Sequence, residues 1–400
     1  MAGTVSGACD PKFASVKEEF EKNFAERGEV GASVCLSVNG ETLVDLWGGV
    51  ANAATGEAWR EDTISIVFSC SKAATALCAH ILIDRGELNP EALVSEYWPE
   101  FAKNGKEATT VRMMLNHESA LPTLRDPVRP GGFTDWDYMI KRLEDEEAFW
   151  EPGTRNGYHM INFGWTVGEL VRRVSGKSLG TFFREEVAEK TGARFWLGLP
   201  ENEDVHIAPI LPYAPKPDDQ PTEFTIKLMT DPDSIQHKSF MNNGGWDFND
   251  RKAQAAEIGG GGGLSNARGQ VAMYTPLATN DGTLVSSDRL QAMSMVTTAT
   301  QRDATLLIPT RFGPGFMKSM DNRALNLGPG TSVIMGDRAF GHVGAGGSIG
   351  FADPEAGLAF SYTMNQMGNG ILVNDRAQSL IDAAYKSLGY RTNAPGVWVK

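Results

Sequence analysis

No apolar run in this sequence reaches the roughly 18 residues that a bilayer-crossing helix needs. Cysteine is scarce, four in 400 residues. Cys9, Cys35, Cys70 and Cys78 form no C-x-x-C pair, which removes zinc knuckles and thioredoxin-type dithiols. If Cys70 and Cys78 share a helix they stand about 12 Å apart, beyond disulfide reach. Reduced, buried thiols in a cytoplasmic protein are therefore expected. Basic residues are few, 37 against 50 acidic for a net charge of −13, and no Lys/Arg block exists. Such a chain is a poor nucleic-acid binder and is repelled by anionic membranes. Its first residues, MAGTVSGACDPKF, have neither the basic stretch nor the apolar stretch of a secretory leader. H-E-x-x-H, G-x-x-x-x-G-K-[ST] and a strand-borne G-x-G-x-x-G are all absent, so zinc proteolysis, nucleotide hydrolysis and dinucleotide binding lack support. No internal repeat or low-complexity tract is visible.

What is present describes a globular chain: 41% hydrophobic, 22% charged, 44 Gly and 20 Pro. This length predicts two lobes sharing one cleft, or two domains. In residues 13–27, Phe13, Val16, Phe20 and Phe24 make one helical stripe. Two apolar strands then flank Asn39-Gly40, a two-residue hairpin signal, so the chain is read as beginning helix, then antiparallel strands. Residues 72–86 are apolar all round and predict a buried helix ending near Gly86. From about 88 to 300, helices are expected at 110–116, 136–147 and 164–175, and residues 199–257 read as long irregular connection. The glycine run Gly259–Gly263 introduces a helix at 266–279. Strand signals return in the last ninety residues or so, with a turn at Asp353-Pro354-Glu355-Ala356-Gly357 and a terminal helix near 375–389.

Two serine signals compete. Ser69-Cys70-Ser71-Lys72 is an S-x-x-K at the start of the buried helix. The three-residue offset puts Lys72 one turn on, beside the Ser69 hydroxyl. A desolvated amine there loses its proton easily and takes the serine's, and the helix N-terminus favours developing negative charge. A chain with this Ser and Lys content contains one such spacing by chance. Gly346-Gly347-Ser348-Ile349-Gly350 matches the G-x-S-x-G nucleophile elbow. That elbow needs a helix after it and a histidine further along the chain. Here strand and turn signals follow, and His342 is the last histidine. The glycines then mark a strand passing close to another backbone. The two readings make opposite mutational predictions for Ser69→Ala and Ser348→Ala.

Context favours the first. The segments ISIVFSCSKAATALCAHILIDRGEL, TTVRMMLNHES, EPGTRNGYHMINFGWTVGELVRRVSGKSL, EIGGGGGLSNARGQVAMY and FGHVGAGGSIGFADPEAGLAFSYTMNQM occur in that order. Together they resemble the serine β-lactamase-like superfamily, and within it the class C β-lactamase-related esterases called family VIII carboxylesterases. The resemblance runs from about residue 15 to 389. It implies that Tyr158, in Gly157-Tyr158-His159, is the tyrosine of the second motif and that His342-Val343-Gly344 is the third. It further implies an oxyanion hole from the amides of Ser69 and Ala345. A Lys72 ammonium near Tyr158 would favour its phenolate, the two forming one coupled unit. His342 and Gly344 are implied to contact substrate, whereas His159 and His117 are read as supporting structure. The sequence departs from lactamases in two places: Met160 replaces the asparagine after the tyrosine, and His342 replaces the third-motif lysine that pairs with the lactam carboxylate. Both changes weaken recognition of an anionic amide.

Aromatic residues cluster at Phe133, Trp136, Tyr138, Phe149 and Trp150. They are either the core of a helical lobe or an apolar wall for the substrate, with Trp136 and Phe149 as the contacts expected. The fold expected is an α/β two-lobed β-lactamase/penicillin-recognising fold in one catalytic domain spanning 1–400. Its α/β lobe would hold about 1–75 and 310–400, and its mostly helical lobe about 76–309. The activity expected is a serine carboxylesterase hydrolysing small or short-acyl uncharged esters, with Ser69, Lys72 and Tyr158 catalytic, no metal or organic cofactor, and weak β-lactam hydrolysis at most. The alternatives on the same scaffold are an acyltransferase, a β-lactamase or a D-amino-acid peptidase. A non-enzymatic binding protein would be expected to have lost one of the three residues. Nothing in the sequence specifies an oligomeric state.

Overall fold

The computed structural model describes residues 4–217 and 219–400. Met1–Gly3, the start of the stretch read for a leader, lie outside the described residues. The elements that build the site are, in chain order, β1 (Val5–Cys9), α1 (Ala14–Glu26), β2 (Gly31–Val38), β3 (Glu41–Asn52), α2 (Cys70–Asp84), α3 (Trp136–Asp145) and α4 (Phe163–Ser175). They continue with α5 (Glu223–Thr230), α6 (Ile235–Met241), α7 (Ala267–Thr279), β4 (Thr298–Thr300), β5 (Thr310–Gly313), β6 (Phe316–Met317), β7 (Phe340–Val343), β8 (Ile349–Asp353), β9 (Leu358–Met364) and α8 (Asp375–Ser387).

The strands form an antiparallel sheet in the order β1-β3-β2-β9-β8-β7-β6-β5-β4, so the two ends of the chain meet where β2 pairs with β9. Local chemistry sets the register at two turns. Asn39 and Gly40 both take positive φ, 51° and 88°, the two left-handed positions of a type I′ turn. Val38 is thereby placed opposite Glu41. Asp353 Oδ1 accepts the amides of Glu355 and Ala356 at 3.1 and 3.3 Å and closes the β8–β9 turn, with Leu358 opposite Asp353. The central strands β2 and β9 are buried along nearly their whole length because both faces of the sheet are covered. On one face Phe13, Val16 and Phe20 pack with Leu380, Ile381 and Ala384 of α8 over Val34, Leu36 and Phe360. On the other, α7 lies across β2, β8 and β9, and α2 joins the same core through Ala73, Ala74 and Leu77.

The helices expected from periodicity are present, starting and ending within a few residues of the predicted bounds. Three features differ from expectation. The chain begins with a strand, β1, paired to β3 from Val5↔Gly48 to Cys9↔Val44; its VSGAC sequence is too short and too exposed to give an alternating pattern. Residues 199–257 are not wholly irregular, since they contain α5, α6 and the turn Arg251–Ala255. Finally, α7 packs on the sheet and β4 pairs with β5, although both lie in the segment expected to be the helical lobe. The cysteines are free. No helix among the described residues is long and apolar enough to cross a membrane.

Candidate active site

The site begins at the entry to α2. Phe68 sits at φ 44°, a left-handed conformation that costs a bulky residue of order 1–3 kcal/mol. The next residue, Ser69, is the N-cap of α2, and its half-buried side chain faces a cavity rather than capping the helix. One turn on, the Lys72 side chain is fully buried. Its Nζ lies 2.9 Å from Ser69 Oγ, 2.5 Å from the carbonyl of Met160 and 2.6 Å from the carbonyl of Gly260. Burial holds this amine well below the ordinary lysine range. A neutral amine has two N–H donors and one lone pair. In the neutral form both donors would be taken by the carbonyls, which would leave the lone pair for the Ser69 hydroxyl.

The glycine run explains how a carbonyl reaches Lys72. A Cβ on Gly260 would lie 2.0 Å from the carbonyl oxygen of Ile161, so only glycine allows the loop to press against the chain entering α4. The same loop receives Thr75 Oγ1 at the Gly259 carbonyl (2.9 Å), while the Gly263 amide donates to Ser71 Oγ (2.8 Å). Sequence reasoning had given this run no role beyond introducing a helix, because backbone acceptors leave no letter in a sequence.

Tyr158 lies with its ring centroid 4.8 Å from Lys72 Nζ. Burial raises its phenol, and the Ser69 hydroxyl acts in the opposite direction. Burial thus acts against charge on both members of the pair, lowering the amine and raising the phenol, whereas a Lys72 ammonium would favour the Tyr158 phenolate. The Tyr158 backbone is pinned by Asp303, which sequence reasoning missed. Both carboxylate oxygens of this buried residue accept the Tyr158 amide at 3.0 Å, and Oδ1 also accepts the amides of Thr305 and Leu306 at 2.8 Å. His117 packs against the Tyr158 ring, centroids 4.8 Å apart and tilted, and accepts the His159 amide at Nδ1 (3.1 Å). His159 Nε2 accepts from the Ser119 hydroxyl and the Leu121 amide.

Across the cavity, Gly344 follows the end of β7 and leads to Ala345. A Cβ on Gly344 would lie 2.3 Å from the Val67 carbonyl, so this glycine holds the strand end against the segment preceding Ser69. Among the described residues, the amides of Ser69 and Ala345 donate to no other backbone group. Two free donors at the mouth of an apolar cavity suit an oxyanion.

The remaining residues singled out from sequence are placed differently. His342 is buried, 5.9 Å from the Tyr158 ring, and its Nδ1 donates to the Val343 carbonyl at 2.7 Å. Burial and the neighbouring Lys72 push it down to about 3. Neither His342 nor Gly344 belongs to the cavity lining, and they support the strand from behind. Trp136 lies in an adjoining cleft with its Nε1 on Glu169, and Phe149 lies beneath the Arg125 guanidinium. The apolar wall that does face Ser69 includes Phe68, Phe133, Ile161, Trp246 and Phe248, around a cavity of about 280 Å³. Ser348 is fully buried with its hydroxyl unpartnered, and it leads into strand β8 instead of a helix. No base adjoins it, so the elbow geometry is not met.

The beta-lactamase family profile matches residues 17–384. Esterase/beta-lactamase LipL of Mycobacterium tuberculosis (strain ATCC 25618 / H37Rv) is similar to this chain, 32% identical over 404 residues that cover 93% of this chain and 86% of its own. A crystal structure of a family VIII carboxylesterase is 36% identical, with TM-score 0.81 over 96% of this chain and 100% of that one. A penicillin-binding protein homologue from Caulobacter crescentus is 32% identical, with TM-score 0.83 over 96% of this chain and 100% of its own. From the two-lobed α/β fold, the S-x-x-K at the head of α2 and the profile spanning both lobes, it follows that the chain belongs to the beta-lactamase family.

Proposed function

We propose that the protein is a serine carboxylesterase that hydrolyses small or short-acyl uncharged esters through an acyl-enzyme on Ser69. The observation that carries this reading is the Lys72 amine, buried and tied to two carbonyls with Ser69 Oγ as its third neighbour at 2.9 Å. Lys72 accepts the Ser69 proton as Oγ adds to the ester carbonyl carbon. The resulting oxyanion is received by the amides of Ser69 and Ala345, where one donor is worth about 10²–10³ in rate. The neutral phenol of Tyr158 protonates the departing alkoxide and is reprotonated from the Lys72 ammonium. Water then adds to the acyl carbon, passing a proton back through the same pair, and the acid leaves with Ser69 restored. Ester and water become acid and alcohol.

The choice of an uncharged substrate rests on the cavity. Among the described residues, no lysine, arginine, histidine, aspartate or glutamate lines it. A carboxylate there would be desolvated without a partner, which is strongly unfavourable. Met160 and His342 at the two positions that bind the lactam in lactamases support the same choice. The names of the relatives, esterase/beta-lactamase and family VIII carboxylesterase, fit an esterase with β-lactam turnover as a side activity. Acyl transfer is a second reading, since an apolar lining favours an alcohol over water at the acyl-enzyme.

A p-nitrophenyl ester chain-length panel tests the proposal, run on wild type, Ser69→Ala and Ser348→Ala with nitrocefin alongside. Ser69→Ala is expected to lose at least about a thousandfold in kcat/KM, and Ser348→Ala to retain turnover. Full activity in Ser69→Ala refutes the mechanism. Nitrocefin turned over faster than the esters replaces esterase with lactamase, and ester product formed with added alcohol brings in the transferase.

A further inference from the structure

Four of the aromatic rings that line the cavity form a continuous ladder. Phe68 meets Phe248 at 5.3 Å, Phe248 meets Trp246 at 6.0 Å, and Trp246 meets Phe133 at 6.1 Å. The ladder starts at the residue before the nucleophile and runs away from it. Beyond Phe133 it continues, because the far side of that ring meets Trp165 at 5.0 Å. Trp165 belongs to a different space, a cleft of about 330 Å³ with Trp136, Leu179 and Ala256 in its walls. Among the described residues, Phe133 alone lines both the cleft and the Ser69 cavity.

The charged groups at the cleft are already satisfied. Arg172 pairs with Asp137 at 3.0 Å, and Glu257 accepts from Ser178 Oγ at 2.7 Å and from the Gly180 amide at 2.9 Å. Nothing there calls for an ionic ligand, while its indole and aliphatic surfaces suit a hydrocarbon chain. The Phe133 ring is carried on one short helical turn, Gly132–Thr134, and is 6% exposed.

We propose that Phe133 sets the length of apolar chain the site accepts, standing as a partition between the Ser69 cavity and a second cleft whose indole and aliphatic walls would hold the far end of a longer chain. This rests on the esterase reading above and adds a specificity determinant to it. With the ring in place, a chain extending from Ser69 along the aromatic wall stops at Phe133. With the ring removed, the two spaces join into one slot that passes Trp136 and Trp165.

The test compares p-nitrophenyl butyrate with p-nitrophenyl laurate on wild type, Phe133→Leu, Phe133→Ala and the double variant Phe133→Ala/Ala256→Trp. The laurate-to-butyrate ratio of kcat/KM is expected to rise about tenfold or more in Phe133→Ala, in keeping with the worth of added methylenes in an apolar pocket. Phe133→Leu should rise less, and the double variant should fall back as the indole refills the cleft. An unchanged ratio in a folded Phe133→Ala protein that still turns over butyrate overturns the proposal. So does a gain that survives Ala256→Trp, because the chain then does not use the cleft. If Phe133→Ala does not fold, Phe133→Leu carries the same criterion. Absence of butyrate turnover by wild type defeats the esterase reading instead, so the two failures are told apart.

Discussion

Replacing Lys72 by methionine separates the two protonation states on which the chemistry depends. The side chain is fully buried, with carbonyls at 2.5 and 2.6 Å and a hydroxyl at 2.9 Å, and its amine is held well below the usual lysine range. In the unfolded chain the same amine carries a proton up to about pH 10.4. Folding therefore releases one proton at any pH between the folded and unfolded values. The unfolded state binds more protons, so stability rises with pH across that window, by about 1.4 kcal/mol per unit. The contribution is complete above the unfolded value and is lost as pH falls toward the folded one. Methionine has no such proton, and the histidines beside the amine, His117, His159 and His342, are held down chiefly by burial in either protein. The stability of wild type relative to Lys72→Met should thus rise with pH from 7 to 9, with a slope approaching about 1.4 kcal/mol per unit wherever the pH lies between the folded and unfolded values. Urea unfolding followed by tryptophan fluorescence at pH 7, 8 and 9 measures it. Parallel pH dependences would show that Lys72 folds as an ammonium, and an ammonium cannot accept the Ser69 proton.

Two further perturbations reach other parts of the account. Gly260→Ala forces a Cβ to within 2.0 Å of the Ile161 carbonyl. It should cost about 1–3 kcal/mol of stability by overpacking and lower kcat more than it raises KM, since the displaced carbonyl frees Lys72; loss of stability with kcat intact would contradict that link. Arg376 is paired with Glu29 at 2.9 Å, both side chains at 5% exposure or less, and the Tyr362 hydroxyl donates to the same carboxylate. Arg376→Met strands that buried charge and should lower stability by about 3–5 kcal/mol in denaturant titrations at neutral pH, and a change below 1 kcal/mol would count against the pair.

What the sequence made legible was whatever a local rule fixes. The S-x-x-K offset places Lys72 beside Ser69 because a helix brings residues three apart onto one face. Asn39-Gly40 fixes a hairpin because both residues tolerate positive φ. The hidden parts depend on backbone or on distant contacts. The carbonyls of Met160 and Gly260 hold Lys72, and the Asp303 carboxylate holds Tyr158, across separations of 88, 188 and 145 residues. No spacing rule connects them. Helices α5 and α6 were missed because apolar residues occupy their outer surface too: Ile226, Met229, Phe240 and Met241 are 48%, 72%, 42% and 52% exposed while Phe224 turns into the cavity. Such a distribution erases the amphipathic period. Their N-caps, Thr222 and Ser234, were the remaining signal. The aromatic cluster was read as either a lobe core or a substrate wall with Trp136 and Phe149 as contacts, yet Phe133 lines the Ser69 cavity while Trp136 lines only the neighbouring cleft, a distinction that composition does not carry.

The claim at the centre is that the acyl group is carried by Ser69. Quenching the enzyme with acid during turnover of a slow p-nitrophenyl ester, then digesting with trypsin, puts Ser69 in the peptide Glu61–Lys72 and Ser348 in the peptide Ala339–Arg376. Mass spectrometry should find the acyl mass on the first peptide, fragmenting to Ser69, and absent from it in Ser69→Ala. An acyl group on the second peptide, at Ser348, would contradict the account.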